Sequence, residues 1–172
     1  MKKWFPALMV ALFAFPWASI CNAESMKDKV IGTWKLVGYV DPNPGASDDR
    51  ETKNPKGYIT YDATGHMAVQ IDRRDDRPKF KAGNRNKGTP EELQAAFVHY
   101  TAYFGTYAVN EKEATITHHL EGSIYPNEIG RDNLRYYDVE GNRLIYTVPA
   151  MKDGKRLPKS ESFRKLIWEK VK

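Results

Sequence analysis

From residue 31 onward, apolar and polar positions alternate in short runs broken by turn residues, which is the period of half-buried β-strands. Tyr107 and Val109 on one arm, and Ile116, His118 and Leu120 on the next, flank the polar turn Asn110-Glu111-Lys112-Glu113, so residues 103–127 read as two strands and their hairpin. Further strands are predicted over 31–40, 57–61, 66–71, 132–139, 143–148 and 160–171. They are separated by turn chemistry such as Asp62-Ala63-Thr64-Gly65, Glu140-Gly141-Asn142 and Lys152-Asp153-Gly154-Lys155. Strict alternation puts Trp34, Leu36 and Gly38 on one face of the first strand and Lys35, Val37 and Tyr39 on the other. In the last strand Arg164, Leu166 and Trp168 share a face.

Two stretches interrupt the period. Residues 41–55 are rich in Pro, Gly, Ser and Asp and predict a loop; residues 72–88 are charged, hold Phe80 as their one large apolar group, and read as a solvated loop, with a lid or anion-binding loop as the alternative. Thr89-Pro90-Glu91-Glu92 then supplies an N-cap, a proline at the first helical position and a capping-box glutamate. Leu93, Ala96, Phe97 and Tyr100 follow at helical spacing, predicting an amphipathic helix of about three turns with His99 off its stripe, at the surface.

The sum is an all-β chain: eight antiparallel strands in an up-and-down meander with one inserted helix. Eight strands are enough to close a barrel around side chains or one small ligand. A two-sheet sandwich is the alternative, but it would leave edges that no proline or inward charge visibly protects.

Composition changes the picture at the amino terminus. Lys2 and Lys3 precede an uncharged, mostly apolar run from Trp4 to Ile20 and a small-residue site ending at Ala23, so residues 1–23 read as a signal peptide and 24–172 as the domain. An uncleaved anchor and a lipoprotein modified on Cys21 are the competing readings. Cleavage would leave 149 of the 172 residues, without the one cysteine, and would lower the net charge from +5 to +3 by removing Lys2 and Lys3. Disulfides and thiol chemistry would then be excluded, a periplasmic or secreted location is expected, and no stable membrane insertion should remain. So small and scattered a charge argues against nucleic acid as a partner.

Candidate chemistry sits where parity puts polar groups inside. If Ile116 and Leu120 face the core, so does His118; if Tyr137 and Val139 do, so does Arg135. A polar group in a barrel costs about 1 to 3 kcal/mol unless hydrogen-bonded. These residues therefore either satisfy one another through Tyr61, Tyr107, Tyr137 and Tyr146, or wait for a ligand; His119 and Glu121 fall on the outer face. No metal and no cofactor are expected. The four histidines, His66, His99, His118 and His119, include no His-x-x-x-His pair, strand parity separates the adjacent two, and a Gly-rich phosphate loop and a Gly-x-Ser-x-Gly are both missing.

Gly32-Thr33-Trp34 resembles the Gly-x-Trp signature of lipocalins and their calycin relatives. More specifically, residues 31–36, 57–61, 65–70, 88–92, 103–107, 115–119, 121–123 and 166–169 are similar, in this order, to the bacterial lipocalin-like domain family. The resemblance implies a small β-barrel with a one-sided cavity and a small apolar or amphipathic ligand. It also implies that Trp34 and Trp168 close the barrel floor, with a basic residue of the last strand, Arg164, packed across the tryptophan. The expected ligand-binding set is His118, Tyr107, Arg135, Tyr137, Tyr61 and Tyr146. An isomerase or cyclase using His118 as general acid or base, and a secreted interaction or inhibitor protein acting through exposed loops, are the alternatives.

Overall fold

The computed structural model describes Met1, residues 24–41 and residues 52–172. The signal peptide expected over 1–23 and most of the loop expected over 41–55 lie outside the described residues.

Eight strands close into one antiparallel barrel: β1 (Gly32–Val40), β2 (Lys56–Tyr61), β3 (His66–Asp72), β4 (Tyr100–Asn110), β5 (Thr115–Ser123), β6 (Asp132–Glu140), β7 (Arg143–Thr147) and β10 (Lys165–Lys170). Each pairs with its chain neighbour, and β10 pairs with β1 to complete the ring. The barrel expected from the alternation is what forms, and closure pairs both edges of each of its eight strands. Between β7 and β10 lies a small hairpin of β8 (Met151–Lys152) and β9 (Lys155–Arg156). The final barrel strand is thus shorter than the predicted 160–171.

The inward positions obey the period. Trp34, Leu36, Ile59, Tyr61, Met67, Val69, Ile116, Leu120, Leu144, Tyr146 and Trp168 form the buried core, with Tyr103, Tyr107 and Ile71 nearly as well covered. One strand breaks its own parity. The register of β1 against β10 shifts between Leu36 and Gly38, so Tyr39 pairs with Leu166 and faces inward, whereas strict alternation puts it outside. The neighbour Gly38 lies against Ile167, whose side chain would come within 3.1 Å of a Cβ there. At Gly105 of β4 a Cβ would meet the His119 carbonyl oxygen at 2.0 Å, so the close approach of β4 to β5 at that bulge requires glycine.

One end of the barrel is plugged. A short helix, α1 (Met26–Val30), is capped by Ser25 and inserts Met26 and Val30 into the core, an element that the strand alternation did not predict. The Trp34 indole Nε1 donates to the Val30 carbonyl at 2.7 Å, the Met26 amide donates to Glu111 Oε1 at 2.7 Å, and Lys170 Nζ lies 5.3 Å above the Trp34 ring while donating to the Lys29 carbonyl. The basic residue of the last strand that covers the tryptophan is therefore Lys170 and not Arg164. Arg164 lies one strand length away at the other end, where it bonds Asp41 at 3.0 Å.

The inserted helix α2 (Pro90–Val98) has the expected capping box between Thr89 and Glu92 but is shorter than predicted, since Tyr100 already belongs to β4. Its stripe stays largely outside, with Leu93 and Phe97 both exposed. His99 corrects the expectation the other way: it is half-buried, with Nδ1 enclosed and unpartnered. The 73–88 segment is tied down by charge, through Arg74 and Lys53 to Asp76, Arg77 to Asp72 at 2.6 Å, and Arg77 over the Tyr100 ring. No helix among the described residues is long and apolar enough to cross a membrane.

Candidate functional site

Among the described residues the end opposite α1 is open, and behind it lies a cavity of about 460 Å³. Strand direction decides what lines it. Ile59, Val69, Ile71, Leu166 and Trp168 come from the inward faces of β2, β3 and β10 and form an apolar wall, while Tyr103, His118 and Tyr146 add polar atoms from β4, β5 and β7. The mouth is basic: Arg73, Arg131, Arg135, Arg156 and Arg164 border it, together with Glu128 and Asp132. A volume of this size is within the range of small-molecule pockets.

At the inner part of the cavity the polar groups are chained. Tyr103 Oη lies 3.1 Å from His118 Nδ1, Tyr61 Oη lies 2.7 Å from His118 Nε2, and Tyr61 Oη lies 2.5 Å from Tyr146 Oη. All four side chains are buried, Tyr61, His118 and Tyr146 almost completely. Burial, reinforced by the nearby charges of Arg135 and His119, holds the His118 pKa well below its ordinary value, so the ring is neutral at pH 7. Burial likewise pushes the phenols of Tyr61, Tyr103 and Tyr146 upward. The chain is therefore uncharged. Tyr61 also meets the Tyr107 ring edge-on, with centroids 4.8 Å apart.

The structure sorts the expected ligand-binding residues into two groups. His118, Arg135 and Tyr146 line the cavity. Tyr61, Tyr107 and Tyr137 do not: Tyr61 sits behind the wall as the middle of the chain, Tyr107 donates to the Asp62 carbonyl at 2.9 Å towards the plugged end, and Tyr137 packs half-buried against the core, where β6 has passed beyond the cavity. Val139, expected inside, is 41% exposed, next to the turn that joins β6 to β7. His118 itself differs from expectation in one respect. Both ring nitrogens are taken by tyrosine hydroxyls, so neither is open to a ligand. His119 points outward and bonds Asp132 at 2.6 Å.

Several lining residues were missed. Tyr103 stands two positions before Gly105 and four before Tyr107, so the alternation of β4 already carried it inward. Tyr39 was hidden by the β1 bulge, and Arg73, Arg131 and Arg156 lie in connections that have no period to read. Trp168 both packs the floor and borders the cavity, and its indole Nε1 has no acceptor. No group of three or more metal-ligating side chains gathers among the described residues.

A sequence profile described as a lipocalin-like domain matches residues 31–171, which span the whole barrel. The chain belongs to the lipocalin-like domain family. A relative, the 4'-hydroxy-3'-methoxypropiophenone carrier protein ppsC of Aspergillus oryzae, is 33% identical over 84 residues, which cover 45% of this chain and 75% of that protein. Among solved structures, a mutant of the fluorescent protein UnaG aligns over 85% of this chain and 99% of its own, at 13% identity and a TM-score of 0.37.

Proposed function

We propose that this lipocalin-like protein binds and carries a small amphipathic molecule in the barrel cavity, apolar body inward against Ile59, Val69, Leu166 and Trp168. The observation that carries the reading is the cavity of about 460 Å³, closed on one side by α1 and the core and open on the other through a polar mouth. The carrier relative supports it, since the cargo in that protein's name is an aromatic ketone of a size such a space admits. We further read the protein as an exported, bacterial member of its family, acting in the periplasm or outside the cell, on the strength of the Lys2-Lys3 start, the apolar run and the Ala23 site. The isomerase or cyclase reading has less support, because both ring nitrogens of His118, its candidate general acid or base, are taken by tyrosine hydroxyls and do not meet a substrate directly.

Native mass spectrometry of the protein purified without denaturation tests the reading. A retained small molecule, or saturable uptake of an apolar fluorophore such as Nile red that Leu166→Trp blocks by filling the cavity, is the expected result. A bare protein that also fails to take up Nile red overturns it.

A further inference from the structure

Counting hydrogens in the buried chain leads to the polar end of the ligand, and rests on the binding reading above. Tyr103, neutral His118, Tyr61 and Tyr146 carry four hydrogens on nitrogen or oxygen, one each. They are joined by three hydrogen bonds. A linear chain of this kind can point either way, but in both directions one hydrogen is left over, on Tyr103 in one case and on Tyr146 in the other. Both of these end residues border the cavity, whereas Tyr61 does not.

Arg135 decides the direction. It faces inward beside Tyr103, where its charge and its side-chain hydrogen bond to the hydroxyl draw the phenol's pKa down against the effect of burial; it also donates to the Leu134 carbonyl, and among the described residues it has no carboxylate within ion-pair distance. A guanidinium beside a hydroxyl favours the oxygen lone pair facing it and the hydrogen turned away. Tyr103 then donates to Nδ1, Nε2–H donates to Tyr61, Tyr61 donates to Tyr146, and the Tyr146 O–H is the hydrogen without an acceptor.

A second orphan donor stands next to it. Trp168 is 1% exposed, borders the same cavity, and its Nε1–H has no partner. The two rings meet edge to face at 6.4 Å, on the adjacent strands β7 and β10. A buried donor without an acceptor costs about 1 to 3 kcal/mol, and here two belong to neighbouring residues that both border the cavity.

We infer that the inner wall of the cavity, through Tyr146 Oη–H and Trp168 Nε1–H, receives an uncharged carbonyl oxygen, so that the ligand class is a neutral ketone, aldehyde or ester on an apolar body. A carboxylate fits this wall poorly. Both donors are neutral and buried, and an anion would instead be drawn to Arg135.

The test is a matched set of probes: 2-acetylnaphthalene, 2-ethylnaphthalene, which lacks the oxygen at nearly equal size, and 2-naphthoate. In titrations of the full chain, Tyr146→Phe and Trp168→Phe are each expected to weaken 2-acetylnaphthalene about fivefold or more, the loss of one hydrogen bond, and to leave 2-ethylnaphthalene within about twofold. In the unmodified protein the carbonyl stretch of bound ¹³C-labelled 2-acetylnaphthalene should fall below its value in an apolar solvent, a readout that survives should a variant fail to fold. A stretch equal to that in the apolar solvent overturns the inference, as do variants that weaken both naphthalenes equally. Tighter binding of 2-naphthoate, abolished by Arg135→Gln and untouched by Tyr146→Phe, overturns it in favour of an anion. If Nile red enters but no naphthalene binds, the carbonyl class fails while the cavity reading stands; if nothing binds, both fail.

Discussion

Two tryptophans, each almost fully buried on the inner face of the same barrel, stand in opposite situations. Trp34 at the plugged end gives its N–H to the Val30 carbonyl at 2.7 Å and has Lys170 across its ring. Trp168 at the cavity gives its N–H to nothing. The contrast extends to their surroundings: α1, Met26, Val30 and Glu111 fill and satisfy the first end, while the second keeps open space, a chain of phenols with one hydrogen in excess, and a basic mouth. Satisfied polar groups and full packing stabilise a fold, and unsatisfied ones beside a void cost stability and make a site. The barrel divides these two tasks between its ends.

The largest expected effect tests the stabilising end. Trp34→Ala empties a large aromatic site under α1 and leaves the Val30 carbonyl unpaired, and should cost about 3 to 5 kcal/mol in urea unfolding. A loss below about 1 kcal/mol would show that the plugged end does not carry the fold, and the comparison would collapse.

Next comes the centre of the buried chain. His118→Phe keeps the volume roughly constant but strips a partner from both Tyr61 and Tyr103, so stability should fall by about 2 kcal/mol. Uptake of Nile red should persist, since neither ring nitrogen of His118 is available to a ligand. Unchanged stability with lost uptake would instead make His118 a ligand contact.

These two ends differ in how legible they were. The barrel, its strand order and the inward parity of His118, Tyr146, Leu166 and Trp168 could be read because period-2 alternation is imposed locally by the pleat and registers burial residue by residue. Gly32-x-Trp34 marked the plugged end correctly, but the basic partner was misplaced on Arg164, because facing parity alone does not say at which end of a strand a residue lies. Arg164 and Lys170 are separated by the whole of β10. Tyr39 was lost to a bulge, which arises from pairing across strands rather than from the β1 sequence. The exclusion of Tyr107 and Tyr137 from the cavity has the same origin as the Arg164 error: both face inward, but towards the end that α1 fills.

The buried histidine also sets a pH dependence. The folded-state pKa of His118 lies well below the ordinary value of 6.5, so between those two values the unfolded chain binds a proton that the folded one refuses. Stability from this group is fully present above about pH 6.5 and is lost as pH falls, by up to about 1.4 kcal/mol per pH unit. Urea midpoints between pH 7 and 5 should show the slope, and His118→Phe should remove that part of it. An identical slope in the variant would assign the titration elsewhere.

The smallest effect is the sharpest test of the contrast. Trp34→Phe and Trp168→Phe remove the same atoms from sites that are 3% and 1% exposed, so the loss of buried apolar surface and the void left behind are comparable. What differs is the N–H. In Trp34→Phe a hydrogen bond is broken and the Val30 carbonyl loses its donor; in Trp168→Phe a donor that had no partner is deleted, which relieves a desolvation cost instead of creating one. The first variant should therefore be less stable than the second by about 1 kcal/mol in parallel urea titrations of the ligand-free protein. Ligand should narrow the advantage, because a bound carbonyl gives the Trp168 N–H the acceptor it lacks, and the midpoint gained on adding 2-acetylnaphthalene should be larger for Trp34→Phe than for Trp168→Phe. Equal stabilities without ligand would mean that the Trp168 N–H already has a partner of its own, and the two ends of the barrel would no longer differ in the way that makes one of them a site.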